Sequence, residues 1–464
     1  MHSTIRRSVA ALSVALALAA PAGRAADLMD VWRAAQQHDL DFAAAGAAHR
    51  AGEARRTQGD ALWRPTVQVS GTAGRMTSET TMNGAQFSAP GFGTTDGVNF
   101  NTSVTNGTLG RWTLEARQPL LSRERQAQSR QLALSADVAD LEWQDAQQAL
   151  MLNTAQRYFD VALAAESLRV LRQQQGAVNR ALTEARDRHA LGDTPVTGTF
   201  EASARAEAIR AQILATETDL QLKQIALADV TGLRPEAMSL RFPGADAAPG
   251  EARALDRWLA EAADRNPLLR VQAKRTEVAT EEAAKYSPAA APTIDLVASV
   301  GQDRLSGSGD YGSALNNANN MMIGVQISVP LYTGGYRNAR QEEALHLADK
   351  ARSDADRTRQ RIALQTRAAW MGLTVGAGRI AALAEALRAN RSRLDATRVG
   401  LAAGDRTTLD VLNAESDAAN AELALLQARV EVLMDRLRLA ALSGQLDEGQ
   451  LQLVNATLAS GPAR

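Results

Sequence analysis

The chain has 464 residues and a formal net charge of −1, so it lacks the basic footprint of a nucleic-acid-binding protein. It contains no cysteine, which excludes disulfides, thiol catalysis and a lipid anchor on an N-terminal cysteine. Its five histidines are scattered without metal-ligand spacing, and no nucleophile–base pair stands out. We therefore predict no metal, no other cofactor and no enzymatic activity.

The first 25 residues have the pattern of a secretory signal peptide. Arg6 and Arg7 form a basic end, residues 8–20 form a short apolar run, and Gly23-Arg24-Ala25 supplies small residues at the expected cleavage site. No later stretch reaches the ~18 to 20 apolar residues of a membrane-spanning helix. An exported chain with this sequence is either soluble or crosses a membrane as β-strands.

The remaining sequence is a tandem repeat. Three turn-forming residues, Pro119, Gly192 and Gly232, recur 211 or 212 positions later as Pro330, Gly404 and Gly444. Upstream, Pro65 recurs as Pro292 at an offset of 227, so the first copy has the longer connection between these landmarks. Because near-constant offsets over such spans indicate a duplication, we predict one repeat over residues 26–250 and a second over 251–464.

Each repeat has two stretches in which apolar and polar residues alternate. This period of two predicts strands over residues 66–75, 111–118, 293–301 and 323–331. The stretches that join them, 76–110 and 302–322, are rich in Gly, Asn, Ser and Thr and are predicted to be long loops. The polar faces of the strands are predicted to carry Arg75, Glu115, Arg117 and Asp295.

The rest of the sequence predicts helices. Residues 122–190 and 337–402 have apolar residues at 3-4 spacing and would form coiled-coil helices roughly 100 Å long. Shorter helices are predicted over 27–60, 196–230, 255–285 and 408–442. We predict a mainly α chain with a small β contribution.

Strands of about ten residues with one apolar face match those of membrane barrels. A bilayer tolerates no open sheet edge, and single-chain barrels need about eight strands or more, so four strands would have to be pooled by several chains. The alternative is a small soluble sheet beside a helical bundle. Trp63, Tyr286, Tyr332 and Tyr336 lie at the predicted helix–strand junctions. They fit either a membrane-interface belt or packing between helix ends.

Several longer motifs resemble the TolC family of outer-membrane channel proteins, the outer membrane factors. The resemblance covers nearly the whole mature chain. Its most specific parts are Pro330-Leu331-Tyr332-Thr333-Gly334-Gly335 and Gly404-Asp405-Arg406-Thr407-Thr408-Leu409-Asp410-Val411-Leu412. It extends to Leu28-Met29-Asp30-Val31-Trp32-Arg33-Ala34-Ala35 and Leu152-Asn153-Thr154-Ala155-Gln156-Arg157-Tyr158-Phe159. The sequence is more similar to the type I secretion branch than to acylated multidrug-efflux channels.

The resemblance implies a homotrimer in the outer membrane of a Gram-negative cell. Three chains would form a twelve-stranded barrel in the lipid, continued by a coiled-coil barrel that spans the periplasm. Residues 233–253 and the tail after Ser443 would form an equatorial belt. Expected partners are a periplasmic adaptor and an inner-membrane ABC transporter, or alternatively another efflux pump. The expected cargo is a protein toxin, an RTX cytotoxin such as a cyclolysin or haemolysin; the alternative is drugs and other small molecules.

The family also implies a gate at the tips of the helical hairpins. The matching residues of the second repeat are Gly404, Arg406 and Asp410. Spacings of four and three are expected to put Arg406, Asp410 and Asn413 on one helix face. Two family residues are replaced, an acid by Asn413 and a tyrosine by Leu401. In the first repeat Thr197 is kept, but Gly198 stands where the family has an acid. The alternative to a gate is that Arg406 and Asp410 form an ordinary i,i+4 ion pair on the helix surface.

The hairpin tips are also where an adaptor would dock. The residues implied are Leu191, Gly192 and Asp193 in the first repeat and Ala403, Gly404 and Asp405 in the second. A soluble periplasmic adaptor or an envelope coiled coil would share the long helices. The four strands, placed symmetrically in a duplication, favour the channel over both.

Overall fold

The computed structural model describes residues 27–192, 195–234, 253–286, 291–310 and 312–459. The predicted signal peptide and most of the predicted equatorial segment lie outside these ranges. None of the described helices combines the length and the apolar character needed to cross a membrane.

The described residues form helices and one antiparallel sheet. In chain order they are α1 (Leu28–His38), α2 (Leu40–Ala61), β1 (Thr66–Ala89), β2 (Gly93–Leu121), α3 (Arg123–Ala190), α4 (Val196–Thr231), α5 (Leu255–Arg265), α6 (Pro267–Ala284), β3 (Thr293–Gly309), β4 (Gly312–Ser328), α7 (Tyr336–Ala403), α8 (Thr408–Leu442) and α9 (Glu448–Ala459). The strand order is β1-β2-β3-β4. The predicted fold class is therefore confirmed for the single chain, which is mostly helical with a four-stranded sheet.

The two long helices have the same length. Helices α3 and α7 each contain 68 residues, which corresponds to about 100 Å. Each ends in a turn with a glycine in the left-handed region, Gly192 at φ 82° and Gly404 at φ 84°. Glycine adopts this conformation without the steric cost of a Cβ, so both helical hairpins turn at equivalent glycines.

The predicted helix over 255–285 is wrong as a continuous element. It divides at Asn266, whose side chain accepts a hydrogen bond from the backbone N–H of Leu269 and so starts α6. Asp39 divides the first helical stretch in the same way and accepts from the N–H of Phe42. These positions are 227 residues apart, the upstream offset of the duplication. Both repeats therefore contain two consecutive helices in this stretch, and in each repeat an Asx side chain starts the second helix.

The strands extend far beyond the predicted 66–75, 111–118 and 293–301. The stretches 76–110 and 302–322, predicted to be loops, form most of two hairpins instead, with register continuing to Ala89↔Gly93 and Gly309↔Gly312. Their Thr, Ser and Asn side chains hid the alternation, although Thr is favourable in strands. The fourth strand ends at Ser328 rather than at 331, since Pro330 has no N–H for the ladder.

The chain divides into two compact units, each with its own packing. One comprises residues 1–50, 140–272 and 354–464. In its largest cluster, buried side chains of α1, α3, α4, α8 and α9 pack together, including Trp32, Tyr158 and Phe159. Helix α1 is also tied to α9, because Asn455 accepts from the backbone N–H of Leu28 and donates to Asp27. The described part of the tail after Ser443 thus contains a packed helix, α9.

The other unit comprises residues 51–139 and 273–353 and contains the whole sheet. Polar and charged side chains link its helices, in addition to small buried residues such as Ala136 and Ala344. Glu282 accepts hydrogen bonds from Gln131 at 3.0 Å and Lys285 at 2.6 Å. Arg340 stacks over the ring of Tyr286. Tyr332 and Tyr336 are exposed, whereas Tyr286 is half-buried.

Candidate functional site

Asp410 is part of a helix cap. Its carboxylate accepts hydrogen bonds from the backbone N–H and the hydroxyl of Thr407, both at 2.9 Å, while the Thr407 hydroxyl accepts from the N–H of Asp410. This reciprocal capping box starts α8. The hydrogen bond from the Thr407 backbone is the main cause of a lowered pKa at Asp410. The spacing Thr-x-x-Asp is the sequence signal of such a cap.

The expected helix face with Arg406, Asp410 and Asn413 does not form. Helix α8 begins at Thr408 with Thr407 as its cap, so Arg406 precedes the helix and is not in an i,i+4 relation on it. The Arg406 side chain is exposed and donates no hydrogen bond to the residues that the structure describes, although its charge contributes to the lowered pKa of Asp410. Its backbone N–H donates to the carbonyl of Gly400 at 3.2 Å, and its side-chain stem lies over that glycine.

The tip of the first repeat is built without a cap. Pro195 occupies the N-cap position of α4 and makes no side-chain cap bond. Thr197 is exposed and Gly198 is half-buried, and Asp193 lies outside the described residues. In the second repeat, Leu401 is half-buried while Ala403, Asp405 and Asn413 are exposed. The two tips therefore differ in chemistry although their glycines correspond.

Both tips expose large apolar side chains. The most exposed are Leu191 (77 %) at the end of α3, Val399 (71 %) near the end of α7 and Phe200 (66 %) in the first turns of α4. Apolar groups at a helix-hairpin end have no core to fill. A rim of this kind suits a contact with another protein.

Above the tips, ion pairs join the two helical hairpins. Arg169 of α3 donates to Glu166 on its own helix and to Glu422 of α8, the latter at 2.7 Å. Arg391 of α7 donates to the other oxygen of Glu422 at 2.9 Å. The hydrogen bond to Glu166 is the main cause of a raised pKa at Arg169. One carboxylate thus connects α3, α8 and α7.

Further ion pairs join α7 to α8, and they all have the same orientation. Arginine is on α7 and the acid on α8 in each: Arg379–Glu431 at 2.6 Å, Arg398–Glu415 at 2.8 Å, and Arg393–Asp417. The equivalent α3–α4 hairpin is packed mainly through apolar residues such as Val178 and Ile209, with Arg172–Glu217 as a cross-hairpin pair. The second hairpin is therefore the more electrostatically fixed of the two.

The sheet has one apolar and one polar face. Register places Val69, Leu114, Val300 and Met321 in one cross-strand row. Their side chains are exposed by 74 %, 40 %, 41 % and 87 % in the chain. Since side chains alternate along a strand, the neighbouring row Gln68–Glu115–Ser299 points to the opposite face. An exposed apolar face of this kind suits contact with lipid.

The polar face carries paired charges. Arg111 donates to Asp303, with its Nη2 at 3.1 Å, and Arg117 donates to Gln326 at 2.8 Å and lies 3.6 Å from Asp295. The assignment of Arg75 to this face is wrong. The β1–β2 register is unbroken from Thr66 to Met76, so Arg75 shares the face of Val67 and Val69. Arg75 comes after Val67 and Val69 along β1, at a position where its charged end can reach the membrane interface.

No group of three or more His, Asp or Glu side chains within the described ranges could hold a metal ion. The sequence matches the family described as "Outer membrane efflux protein" over residues 31–233 and 258–445. These two segments cover most of the chain.

The chain belongs to the outer membrane efflux protein family.

Its relatives fit this assignment. It is 27 % identical to the proteases secretion protein PrtF of Dickeya chrysanthemi over 99 % of the chain and 96 % of that protein. It is 28 % identical to the outer membrane protein TolC of Salmonella enteritidis over 70 % of the chain and 67 % of that protein. The crystal structure of VceC from Vibrio cholerae has the same fold, with a TM-score of 0.72, 20 % identity and coverage of 90 % of this chain and 96 % of VceC.

Membership of the outer membrane efflux protein family confirms the TolC-type resemblance and places the chain in the outer membrane. The chain is a channel protein of the kind that serves tripartite export systems across the periplasm. The relatives are channel proteins rather than enzymes.

Proposed function

We propose that three copies of this chain form the outer-membrane channel of a type I secretion system. Each copy contributes four strands to a twelve-stranded barrel and two helical hairpins to a periplasmic tube. A periplasmic adaptor and an inner-membrane ABC transporter deliver the cargo to the hairpin tips. The cargo is a secreted protein, with an RTX cytotoxin such as a cyclolysin or haemolysin as the specific expectation.

The main support for the trimer is that the sheet has two open edges. Strands β1 and β4 are the edges of the sheet, and each has a partner on one side alone among the described strands. Unpaired backbone groups in a bilayer cost several kcal/mol each, so edges that carry the apolar face need further strands. Pairing β1 of one copy with β4 of the next gives a closed barrel with the charged face inward. This closure needs no further secondary structure.

The proposal of protein cargo rests on the relative that matches end to end. PrtF is described as a proteases secretion protein and aligns with 99 % of this chain. The family description refers to efflux, which favours small molecules as the second candidate. The two cargo classes differ in what a deletion strain loses. Loss of one secreted protein supports type I secretion, whereas gained drug sensitivity with an intact set of secreted proteins contradicts it.

The tip residues are proposed to form the gate. The Arg406 side chain is exposed and donates no hydrogen bond to a described residue, so its guanidinium is available to Thr197 of a neighbouring copy. Asp410 takes part through its cap, because Thr407 and Asp410 fix the backbone that carries Arg406. Without an acid at position 198, Arg406 meets a neutral hydroxyl instead of a carboxylate, so the closed state is held more weakly than by an arginine–carboxylate pair.

The gate is tested by single-channel conductance in planar bilayers. Arg406→Ser removes the guanidinium without touching the capping box, and we expect a higher conductance and more frequent opening. Arg388→Ser is the matched control, because Arg388 pairs with Glu385 on the exposed face of its own helix. Unaltered conductance in the Arg406 variant would mean that Arg406 is not a latch.

A further inference from the structure

The two β-hairpins have unequal lengths. Strands β1 and β2 contain 24 and 29 residues, whereas β3 and β4 contain 17 each. Pairing between β2 and β3 stops at Thr105↔Ser308, but pairing between β1 and β2 continues to Ala89↔Gly93. Residues 77–104, here called the outer ribbon, are therefore a two-stranded extension beyond the four-stranded sheet. At about 3.3 Å per residue it is roughly 45 Å long.

The base of the outer ribbon has a defined bend. Both strands have a register irregularity there, between Met76 and Ser78 on β1 and between Thr105 and Thr108 on β2. Asn106, between them on β2, has a φ of 54°, and its N–H donates to the Thr77 hydroxyl at 3.3 Å. Bulges of this type bend a strand and increase its twist. The ribbon is thus set at an angle to the sheet.

The bend is fixed by the shorter hairpin. Ser103 and Val104 are buried, and the backbone N–H of Asp310 donates to the Ser103 hydroxyl at 2.8 Å. A Cβ on Gly309 would overlap the carbonyl of Ser103, and one on Gly307 would lie 2.7 Å from Cα of Gly107. Glycines therefore let the β3–β4 turn pack closely against the ribbon base. The direction of the ribbon is built into the fold.

The ribbon itself exposes large apolar side chains in a single chain. They are Met82 (52 %), Phe87 (46 %), Phe92 (85 %) and Phe100 (48 %). Its charged residues are Glu79 and Asp96, with no Lys or Arg between residues 77 and 104. An anionic lipid surface attracts basic segments, so this composition does not suit one. A two-stranded ribbon alone is marginally stable and needs a further surface to pack against.

We infer that the outer ribbons of three copies pack against one another over the outer mouth of the channel and narrow it. The inference rests on the proposed trimer, in which the nearest surfaces to each ribbon are two identical ribbons. Twelve strands spaced by ~4.8 Å and tilted by ~40° enclose a radius of about 12 Å. A ribbon roughly 45 Å long reaches across this opening. The apolar side chains of the three ribbons then share one buried contact.

Single-cysteine crosslinking tests the contact without background, since the chain has no cysteine. Thr94→Cys places a thiol near the ribbon end, and Ser313→Cys places one at the end of the shorter hairpin. With a short bismaleimide on intact cells, we expect covalent dimers and trimers from Thr94→Cys and none from Ser313→Cys. If Thr94→Cys disturbs assembly, Ser88→Cys, 3.4 Å away across the ribbon by their hydroxyls, replaces it.

A variant with a shortened outer ribbon tests whether the ribbons narrow the channel. Glu79 and Ser103 are paired across the ribbon, so residues 80–102 are replaced by Asn-Gly, which closes a tight hairpin. We expect at least a twofold higher single-channel conductance. Electrophoresis without heating shows whether the trimer forms, and therefore distinguishes failure of this inference from failure of the proposed function. A trimer without ribbon crosslinks and with unchanged conductance overturns this inference alone, whereas a monomeric wild-type chain overturns the proposed function as well.

Discussion

The guanidinium of Arg169 on α3 donates to the carboxylate of Glu422 on α8 at 2.7 Å, and this pair joins the two helical hairpins of one chain. The same carboxylate accepts from Arg391 on α7. Both Arg169 and Glu422 are about a quarter exposed, so solvent screens their attraction less than at the surface.

Glu422→Gln is expected to destabilise the helical unit by about 1–2 kcal/mol, because it leaves two guanidinium groups without their shared charge partner. The measurement is thermal unfolding followed by circular dichroism at 222 nm. Glu385→Gln is the matched control, since the Arg388–Glu385 pair is exposed and lies on one helix. Equal melting temperatures for the Glu422 variant and the wild type would contradict the assigned role.

Thr407→Ala is expected to loosen the start of α8. Loss of an N-cap hydroxyl costs about 1 kcal/mol, which corresponds to roughly fivefold faster hydrogen exchange of the first amides of the helix. Hydrogen-exchange mass spectrometry of residues 404–412 measures this. Thr197→Ala is the control, because Thr197 follows an N-cap proline without a side-chain cap bond. Faster exchange in both variants, or in neither, would contradict the capping difference between the tips.

The capping box also has a pH dependence. The hydrogen bonds from Thr407 lower the pKa of Asp410 below its ordinary value of 3.8 in the folded chain. Its contribution is therefore complete above pH 3.8 and is lost as the pH falls through the lowered folded pKa. Exchange at 404–412 should accelerate below that pH in the wild type and not in Asp410→Asn. An identical acid response in both proteins would contradict the assignment.

The sheet faces are tested by two neighbouring substitutions. Leu114→Arg places a charge on the apolar face, where an arginine in mid-bilayer costs about 2–4 kcal/mol, so outer-membrane accumulation should fall strongly. Thr113→Arg places the same charge on the polar face and should accumulate normally while changing ion selectivity. Quantitative immunoblots of outer-membrane fractions give the comparison. Equal accumulation of both variants would contradict the assignment of the two sheet faces.

A cavity in the helical unit contains a partly buried carboxyl group, that of Asp145, whose effect on stability can be tested. Asp145 lines a space of about 520 Å³ with Asn266, Asp435 and Arg438, and no described residue donates to its carboxylate. Burial, followed by the nearby charge of Glu142, raises its pKa above the ordinary 3.8. A raised folded pKa means that stability falls as the pH rises from 3.8 through that pKa.

Asp145→Asn should therefore raise the melting temperature at pH 7 and leave it unchanged near pH 3.5, where the wild-type carboxyl is protonated. Burial raises the pKa of Asp435 too, although Arg438 opposes this by donating to it at 3.0 Å. A lower melting temperature for the variant at pH 7 would show that Asp145 has a partner in the assembled protein.

The sequence predicted those elements whose signal is local. Alternation identified the strand segments with an apolar face, such as the one around Val69, and the absence of proline identified the long helices. It did not identify the outer ribbon, where Thr, Ser and Asn occupy both faces and leave no hydrophobic period. Asn266-Pro267 was a local signal for a helix break, and Thr407-x-x-Asp410 was one for a cap. Both were available in the sequence.

The gate residues show the limit of motif transfer. A spacing of four residues placed Arg406 and Asp410 on one helix face, but the cap at Thr407 starts the helix between them. The junction at Glu422 depends on three helices that are distant in sequence, so no local pattern encodes it.

The most direct test of the central claim is electrophoresis of outer-membrane fractions with and without heating. The proposed channel predicts a band at three times the chain mass in unheated samples that converts to the single chain on boiling. A single-chain band in unheated samples, with the protein recovered from the periplasmic fraction, would contradict it.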